Sequence, residues 1–313
     1  MAGLWVVFWK ELADHFGSRR FTILFLLICF VGMGAVYTGA QGIGEEMARA
    51  PTEFVFLRLF TTYGGALPSF LSFLSFFGPL MGIILGFDAV NGEHARGTIS
   101  RVLAQPLFRD SWINGKFLAG LATVAISLLS IILIILGLGI RMLGFGPEIE
   151  ELWRIGLFWA ISVVYVGFWL SVGILFSVAF RQTTSSALAS IATWLFFTLF
   201  LYMLAGLVAD QVAPLGPEAG AEVWSKHERI KDMILRASPA TLFEEATRAV
   251  LMPTFRGLSL IALLSEAEVP TNPLPWTQSL LIVWPELVSL IALTAICFAI
   301  SYTLFMRREI RAI

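Results

Sequence analysis

Six apolar runs, each about 20 residues or longer, decide what this chain can become. They cover Phe21–Ala40, Leu67–Val90, Phe117–Ile140, Ile155–Phe180, Ala187–Ala209 and Trp284–Met306. A helix needs about 20 apolar residues to cross the hydrocarbon core of a bilayer. A closed β-barrel, the other spanning solution, would show short alternating strands instead. These runs are continuous, so the expected fold class is an all-α integral membrane protein with six transmembrane helices. Composition agrees: of 313 residues, 58 % are hydrophobic and only 14 % charged, against about 25 % charged in an ordinary soluble domain. A net charge of −1 gives no reason to expect a nucleic-acid partner. Cys29 and Cys297 both lie inside apolar runs, which excludes a disulfide framework and argues against a cysteine-based metal site.

Basic residues set the expected orientation. An even number of spans puts both termini on one side. That side would hold Lys10, Arg19, Arg20, Arg96, Arg101, Arg109, Lys116, Arg181, Arg307, Arg308 and Arg311. The two short loops of the other side hold only Arg49, Arg58, Arg141 and Arg154. The positive-inside rule therefore makes both termini cytoplasmic, in a plasma (inner) membrane. Arg19-Arg20 precede the first run and Thr38-Gly39-Ala40, a passable cleavage site, end it, but the run is too long for a signal core. It is expected to stay as the first span.

Residues 1–20 read as an interfacial amphipathic helix in contact with membrane lipid. At 100° per residue, Trp5, Phe8, Trp9, Leu12 and Phe16 share one face, while Lys10, Glu11, Asp14 and Ser18 share the other. Residues 21–209 carry spans one to five, including a cytoplasmic loop over 91–116. Residues 210–280 form an extracytoplasmic segment, and 281–313 the last span and a cytoplasmic tail. In the extracytoplasmic segment, Val223–Ala237 has a helical pattern. Ser238-Pro239 starts a second short helix that carries Leu242, Phe243, Ala246 and Val250 and stops at Pro253. Val269–Pro275, with three prolines, reads as an extended link.

Catalytic chemistry is missing from the sequence. His15, His94 and His227 are scattered through the topology, and neither HExxH nor GxSxG occurs. Glu244-Glu245 reads as the solvated face of an outer helix. No GxxxxGK[ST] loop exists to cradle nucleotide phosphates. Charge within the spans is limited to Asp88, near the cytoplasmic end of the second, and Glu286, expected at the outer start of the sixth, where it complements the helix amino end. An ion-coupled carrier would keep acidic groups near the midplane.

The most informative stretch joins spans two and three. It runs from Phe87-Asp88-Ala89-Val90-Asn91-Gly92-Glu93-His94-Ala95-Arg96-Gly97-Thr98-Ile99 through Ser100 and Gln105-Pro106 to Arg109 and Gly115-Lys116-Phe117. Thr98 can cap a short helix over Thr98–Ala104, Gly97 permits the turn into it, and Pro106 ends it. Glu93, Gly97, Thr98, Pro106, Arg109, Gly115 and Lys116 in this order resemble the pattern of the ABC-2 type transporter permeases, with a look of the NosY-like and peptide-exporting branches. Lys10-Glu11-Leu12 near the amino end and Phe305-Met306-Arg307-Arg308-Glu309 near the carboxyl end extend the resemblance. It implies a permease subunit of an ATP-driven exporter that is not itself an enzyme and holds no cofactor. ATP and Mg would bind a separate cytoplasmic ATPase. A second permease copy, a homodimer in the favoured reading, would complete the pathway. Thr98–Ala104 would be the coupling helix on the ATPase, with Glu93, Arg96, Gly97, Thr98, Ile99, Arg101 and Val102 as the coupling residues. An assembly or maturation factor driven by ATPase strokes without solute transport is the alternative.

Two further patterns concern packing and path. Gly78, Gly82 and Gly86 recur every four residues in span two and let another helix approach closely, from the same chain or from a second copy. Phe70, Phe73 and Phe77 on span two, with Trp194, Phe197 and Phe200 on span five, offer an aromatic wall. It would suit a hydrophobic or amphipathic substrate, lipid-like or peptide, or else simply face lipid.

Overall fold

The structure, a computed structural model, describes residues 2–47, 54–62, 68–95, 97, 108–215, 220–252 and 275–307. Every regular element among them is helical. In chain order they are α1 (Ala2–Gly17), α2 (Arg19–Met47), α3 (Val55–Thr61), α4 (Phe70–Gly86), α5 (Asn91–Ala95), α6 (Arg109–Leu143) and α7 (Ile149–Ala179). There follow α8 (Thr183–Leu195), a π turn (Phe196–Phe200), α9 (Leu201–Val212), α10 (Ala221–Leu235), α11 (Pro239–Leu251) and α12 (Trp276–Arg307). Six of the described helical stretches are long and apolar enough to cross a membrane: α2, α4 with α5, α6, α7, α8 through α9, and α12. This is an all-α membrane protein.

The spans outrun the apolar stretches that announce them, because polar first and last turns still form helix. Span three starts at Arg109 and ends where Gly144, at φ 82°, takes the left-handed conformation that closes a helix. Span four starts at Ile149 behind a capping box, in which the Glu148 side chain accepts from the Glu151 N–H and Glu151 returns a bond to the Glu148 N–H. Span six starts at Trp276 and runs through Pro285, which removes one ladder bond without ending the helix. Glu286 therefore sits well inside α12, and does not complement its amino end as expected.

Span four is the hub. It buries most of its apolar stretch inside the chain, 78 %, against 17 % for span five and 11 % for span six. The glycine stripe of α4 packs on it. A methyl on Gly82 would lie 2.7 Å from the Leu170 backbone nitrogen, and one on Gly86 would lie 2.6 Å from the Leu170 carbonyl oxygen. Two backbones this close leave room only for glycine. The stripe is thus used within the chain.

α1 and the end of α12 gather at one end of the bundle, where Phe305 stacks on Trp112. There α1 crosses α6 so closely that a methyl on Gly115 would meet Val7 at 2.8 Å. The opposite end carries the helix pair α10–α11 and the short α3. α11 buries Leu242, Phe243, Ala246, Thr247, Val250 and Leu251 against the bundle. α3 buries Val55, Phe56, Leu57, Leu59 and Phe60. The expected Val269–Pro275 link lies, apart from Pro275, outside the described residues.

Candidate functional site

Family-motif residues that are far apart in sequence converge at the terminal end. Glu11 on α1, Glu93 on α5 and Lys116 on α6 form one buried cluster. Lys116 Nζ lies 2.8 Å from Glu11 Oε1 and 2.8 Å from Glu93 Oε1, and the three side chains are only 4, 9 and 6 % exposed in the order Lys116, Glu11, Glu93. Lys10 closes the cluster from the rim, at 2.8 Å from Glu11, 3.2 Å from Asp14 and 3.6 Å from Glu93. Two buried carboxylates facing two ammonium groups balance in charge, which is the condition for burying them at all. Burial alone would raise the Glu11 carboxyl, but Lys116 and Lys10 more than offset it and hold it below the usual carboxylate range. Burial depresses His15, one turn further along α1, so its ring is neutral at pH 7.

α1 keeps its two expected faces, but the polar one packs on protein. The α6 side takes Val7 together with Glu11, while Trp5, Trp9 and Phe16 stay exposed. Gly115 explains this. Its missing side chain lets α1 settle on α6, and the residue one turn beyond Val7 then reaches Lys116. Glu93 likewise turns inward onto Lys116, away from the surface at which an ATPase contact was expected.

The start of the 91–116 loop is held from its other side too. Ser177 Oγ accepts from the Val90 and Asn91 N–H groups at 2.9 and 3.2 Å. Ser186 Oγ donates to the Phe87 carbonyl at 2.8 Å, and Asn91 Nδ2 donates to the Gln182 carbonyl at 3.4 Å. Asp88 meets Arg20 at 3.4 Å. Gly97 has φ 66°, the left-handed turn expected of it. Arg96, Thr98, Ile99, Arg101 and Val102, with the helix expected over Thr98–Ala104, lie outside the described residues.

The six aromatic residues expected to line one wall do not do so together. Phe70 is fully buried between Phe60 and Phe158, at the end that carries α3. Phe73 stacks on Phe77 at 4.5 Å. Spans two and five meet through Phe76, which the sequence reading omitted, edge-on to Trp194 at 5.0 Å. Phe197 reaches Trp169, and Phe200 is exposed.

A second buried charge was legible only as a topology marker. Arg154 is fully buried at the end opposite the termini. It donates to Glu150 at 2.9 Å, to the Val250 carbonyl at 3.0 Å and to Ser279 Oγ at 3.1 Å, and the Phe54 ring lies 5.6 Å away. Neighbouring Glu151 accepts from the Phe56 N–H at 2.8 Å and so pins α3. Glu244 and Glu245 are engaged as well. Glu244 accepts from Ser75 at 2.9 Å and pairs with Arg248 at 3.1 Å, and Glu245 meets Arg236 at 3.4 Å. Among the described residues no group of three or more His, Cys, Asp or Glu side chains is arranged to hold a metal ion.

A six-span helical bundle with a buried charge cluster joining its amino-terminal helix to the loop after its second span defines a multi-pass membrane protein. The family model described as ABC-2 family transporter protein matches residues 5–310, and the chain belongs to that family. Similar relatives include a probable ABC transporter permease protein NosY of Pseudomonas aeruginosa, 28 % identical over 67 % of this chain and 73 % of the relative. A protein of the same name from Stutzerimonas stutzeri is 26 % identical over 76 % of this chain and 71 % of the relative.

Proposed function

We propose that this chain is the permease subunit of an ABC exporter, powered by a separate cytoplasmic ATPase that docks on the 91–116 loop. Both termini and that loop would be cytoplasmic, and α10–α11 extracytoplasmic, in the plasma (inner) membrane. Family membership supports a transport subunit, and both relatives carry the word permease in their names. The sequence holds no phosphate-cradling loop, so energy has to arrive through a protein contact. The observation that carries the reading is the Glu11–Lys116–Glu93 cluster. A loop that only connects two spans has no use for a buried lysine tying its start to α1 and to the third span. A loop that receives force does. Glu93 then anchors the loop from within, and Arg96 and Arg101 are left to meet the ATPase.

The substrate would be hydrophobic or amphipathic, since Phe73, Phe76, Phe77 and Trp194 form an uncharged aromatic cluster joining spans two and five, with Phe76 exposed at its edge. A second copy would dock elsewhere than on the glycine stripe, which span four already covers. Co-purification of the chain with a cytoplasmic ABC ATPase tests the reading. Arg101→Glu is expected to release that ATPase, or to uncouple hydrolysis from transport, with the permease still folded. Docking and transport both unchanged after deletion of residues 98–104 would overturn it. Hydrolysis-dependent action without any transported solute would favour an assembly factor.

A further inference from the structure

We infer that the sixth span, α12, carries movement of the loop after span two to the opposite end of the bundle, with Trp112 and Phe305 as the positioning residues that hand it over. The inference rests on the ATPase-driven reading above. Its first step is the charge cluster. Lys116, held 2.8 Å from Glu93, also lies 4.7 Å over the ring of Trp112. Trp112 in turn stacks on Phe305 at 5.1 Å with the ring planes 18° apart. Both rings are buried, so neither can shift without the other. Two turns along α12 the same pairing recurs, Phe117 stacking on Phe298 at 4.3 Å. A displacement of Glu93 therefore reaches α12 through Lys116 and one ring pair.

α12 packs along span four yet leaves most of its apolar stretch uncovered by the chain. Only 11 % of its apolar stretch is buried inside the chain, the lowest share of the six. Its 32 residues extend about 48 Å, so one helix joins both ends of the bundle. At the far end, Ser279 on its first turn takes a hydrogen bond from Arg154 at 3.1 Å. The same guanidinium nitrogen holds the Val250 carbonyl, in the last turn of α11, at 3.0 Å. A hydrogen bond is lost within about half an ångström beyond its normal range. A small axial or tilting shift of α12 would thus break the Ser279 contact and loosen the seat of α11. Each step is a packed ring or a hydrogen bond, which makes the route a physical one that mutation can cut.

The test uses the full chain with its ATPase in lipid nanodiscs, and reads backbone hydrogen-exchange protection over residues 239–251 with and without ATP plus vanadate. In the wild type, protection should fall on nucleotide addition. Trp112→Leu and Phe305→Leu should abolish that response while ATPase co-purification persists, and Trp112→Phe, which keeps a stacking ring, should restore it. If either leucine variant fails to fold, Ser279→Ala cuts the far end. It should leave residues 239–251 less protected without nucleotide and unresponsive to it. A response that survives in both leucine variants or in Ser279→Ala, or one absent from the wild type, would overturn the inference. Failure of the ATPase to bind the wild-type chain would instead sink the reading beneath it.

Discussion

Replacing Lys116 by methionine isolates what the charge cluster does. The substitution keeps an unbranched four-atom stem, with sulfur at the third position, and removes the ammonium. Glu11 and Glu93, which share it at 2.8 Å each, are then left as two buried carboxylates. Removing one partner of a buried ion pair typically costs about 3–5 kcal/mol. Lys10 stays 2.8 Å from Glu11 and 3.6 Å from Glu93, but it is more than half exposed and can neutralise only part of the deficit. The expected loss is therefore near the lower end, about 3 kcal/mol, read as a drop in the apparent melting temperature of the detergent-solubilised protein. Replacing Glu11, Glu93 and Lys116 together by methionine should recover most of the loss, because an apolar cluster of similar volume leaves no orphan charge. The pH dependence has a defined sign. A carboxyl held below its usual pKa of 4.5 contributes stability that is full above that pH and is lost as pH falls through the folded value. In Lys116→Met the main cause of the depression is gone, so the acid-linked loss should shrink, and the stability gap between variant and wild type should narrow as pH falls. Unchanged melting and an unchanged acid limb in Lys116→Met would refute the argument.

Gly82→Leu should prevent stable folding or cost about 3 kcal/mol or more, since its side chain would enter the backbone of span four at Val166 and Leu170; a thermal melt checks it. Tyr165→Phe should cost about 1–3 kcal/mol, because the Ser75 carbonyl loses a buried 2.7 Å bond; the same melt, with Phe243 stacking on the retained ring, separates hydroxyl from packing. A cysteine at Met233, 75 % exposed on α10, should be labelled in whole cells by a membrane-impermeant thiol reagent if that helix is extracytoplasmic; His227 is a poorer site because it is buried beside the Ala213 carbonyl. The Glu245 carboxyl is raised above 4.5, first by burial and then by Glu286 and Asp232, with Arg236 opposing. A raised carboxyl favours the protonated form in the fold, so protection of residues 239–251 should fall as pH rises from 4.5 toward neutrality, and Glu245→Gln should flatten that profile.

The apolar runs made the spans legible, because continuous hydrophobicity over 20 residues has one common outcome. Their ends were not, since polar turns such as Arg109–Ser111 and Ile149–Arg154 extend a helix once a cap or a neighbour supports them. Glu286 was misplaced in the same way: the helix starts at Trp276 and continues through Pro285 at the loss of one ladder bond. The glycine stripe announced a close approach but not its partner, which depends on which backbone lies opposite. For the cluster, Glu11, Glu93, Gly115 and Lys116 all stood out as motif residues, while their convergence did not. Helical periodicity placed Glu11 opposite Trp5 and Trp9, and it did so correctly. It could not say that the opposite face meets α6, because nothing in the local sequence names the helix that lies beneath it. Arg154 was hidden for the same reason: only the arrival of Val250 and Ser279 from distant segments turns an outer-loop arginine into a buried anchor.

Breaks in the spans and the position of α11 are best understood together. Pro79 in α4 has no N–H to give the Ser75 carbonyl, and the Tyr165 hydroxyl supplies the missing donor at 2.7 Å. Ser75 Oγ then donates to Glu244 on α11. In span five the π turn widens the ladder, and Ser238, the capping residue of α11, donates to the Phe197 carbonyl at 3.2 Å. The other end of α11 is held where Arg154 donates to the Val250 carbonyl. Three separate polar contacts thus seat one 13-residue helix on spans two, four and five. A polar group left unpaired away from water costs several kcal/mol. α11 therefore cannot drift off the bundle by degrees. It either stays in register with these partners or leaves as a unit, with water replacing them.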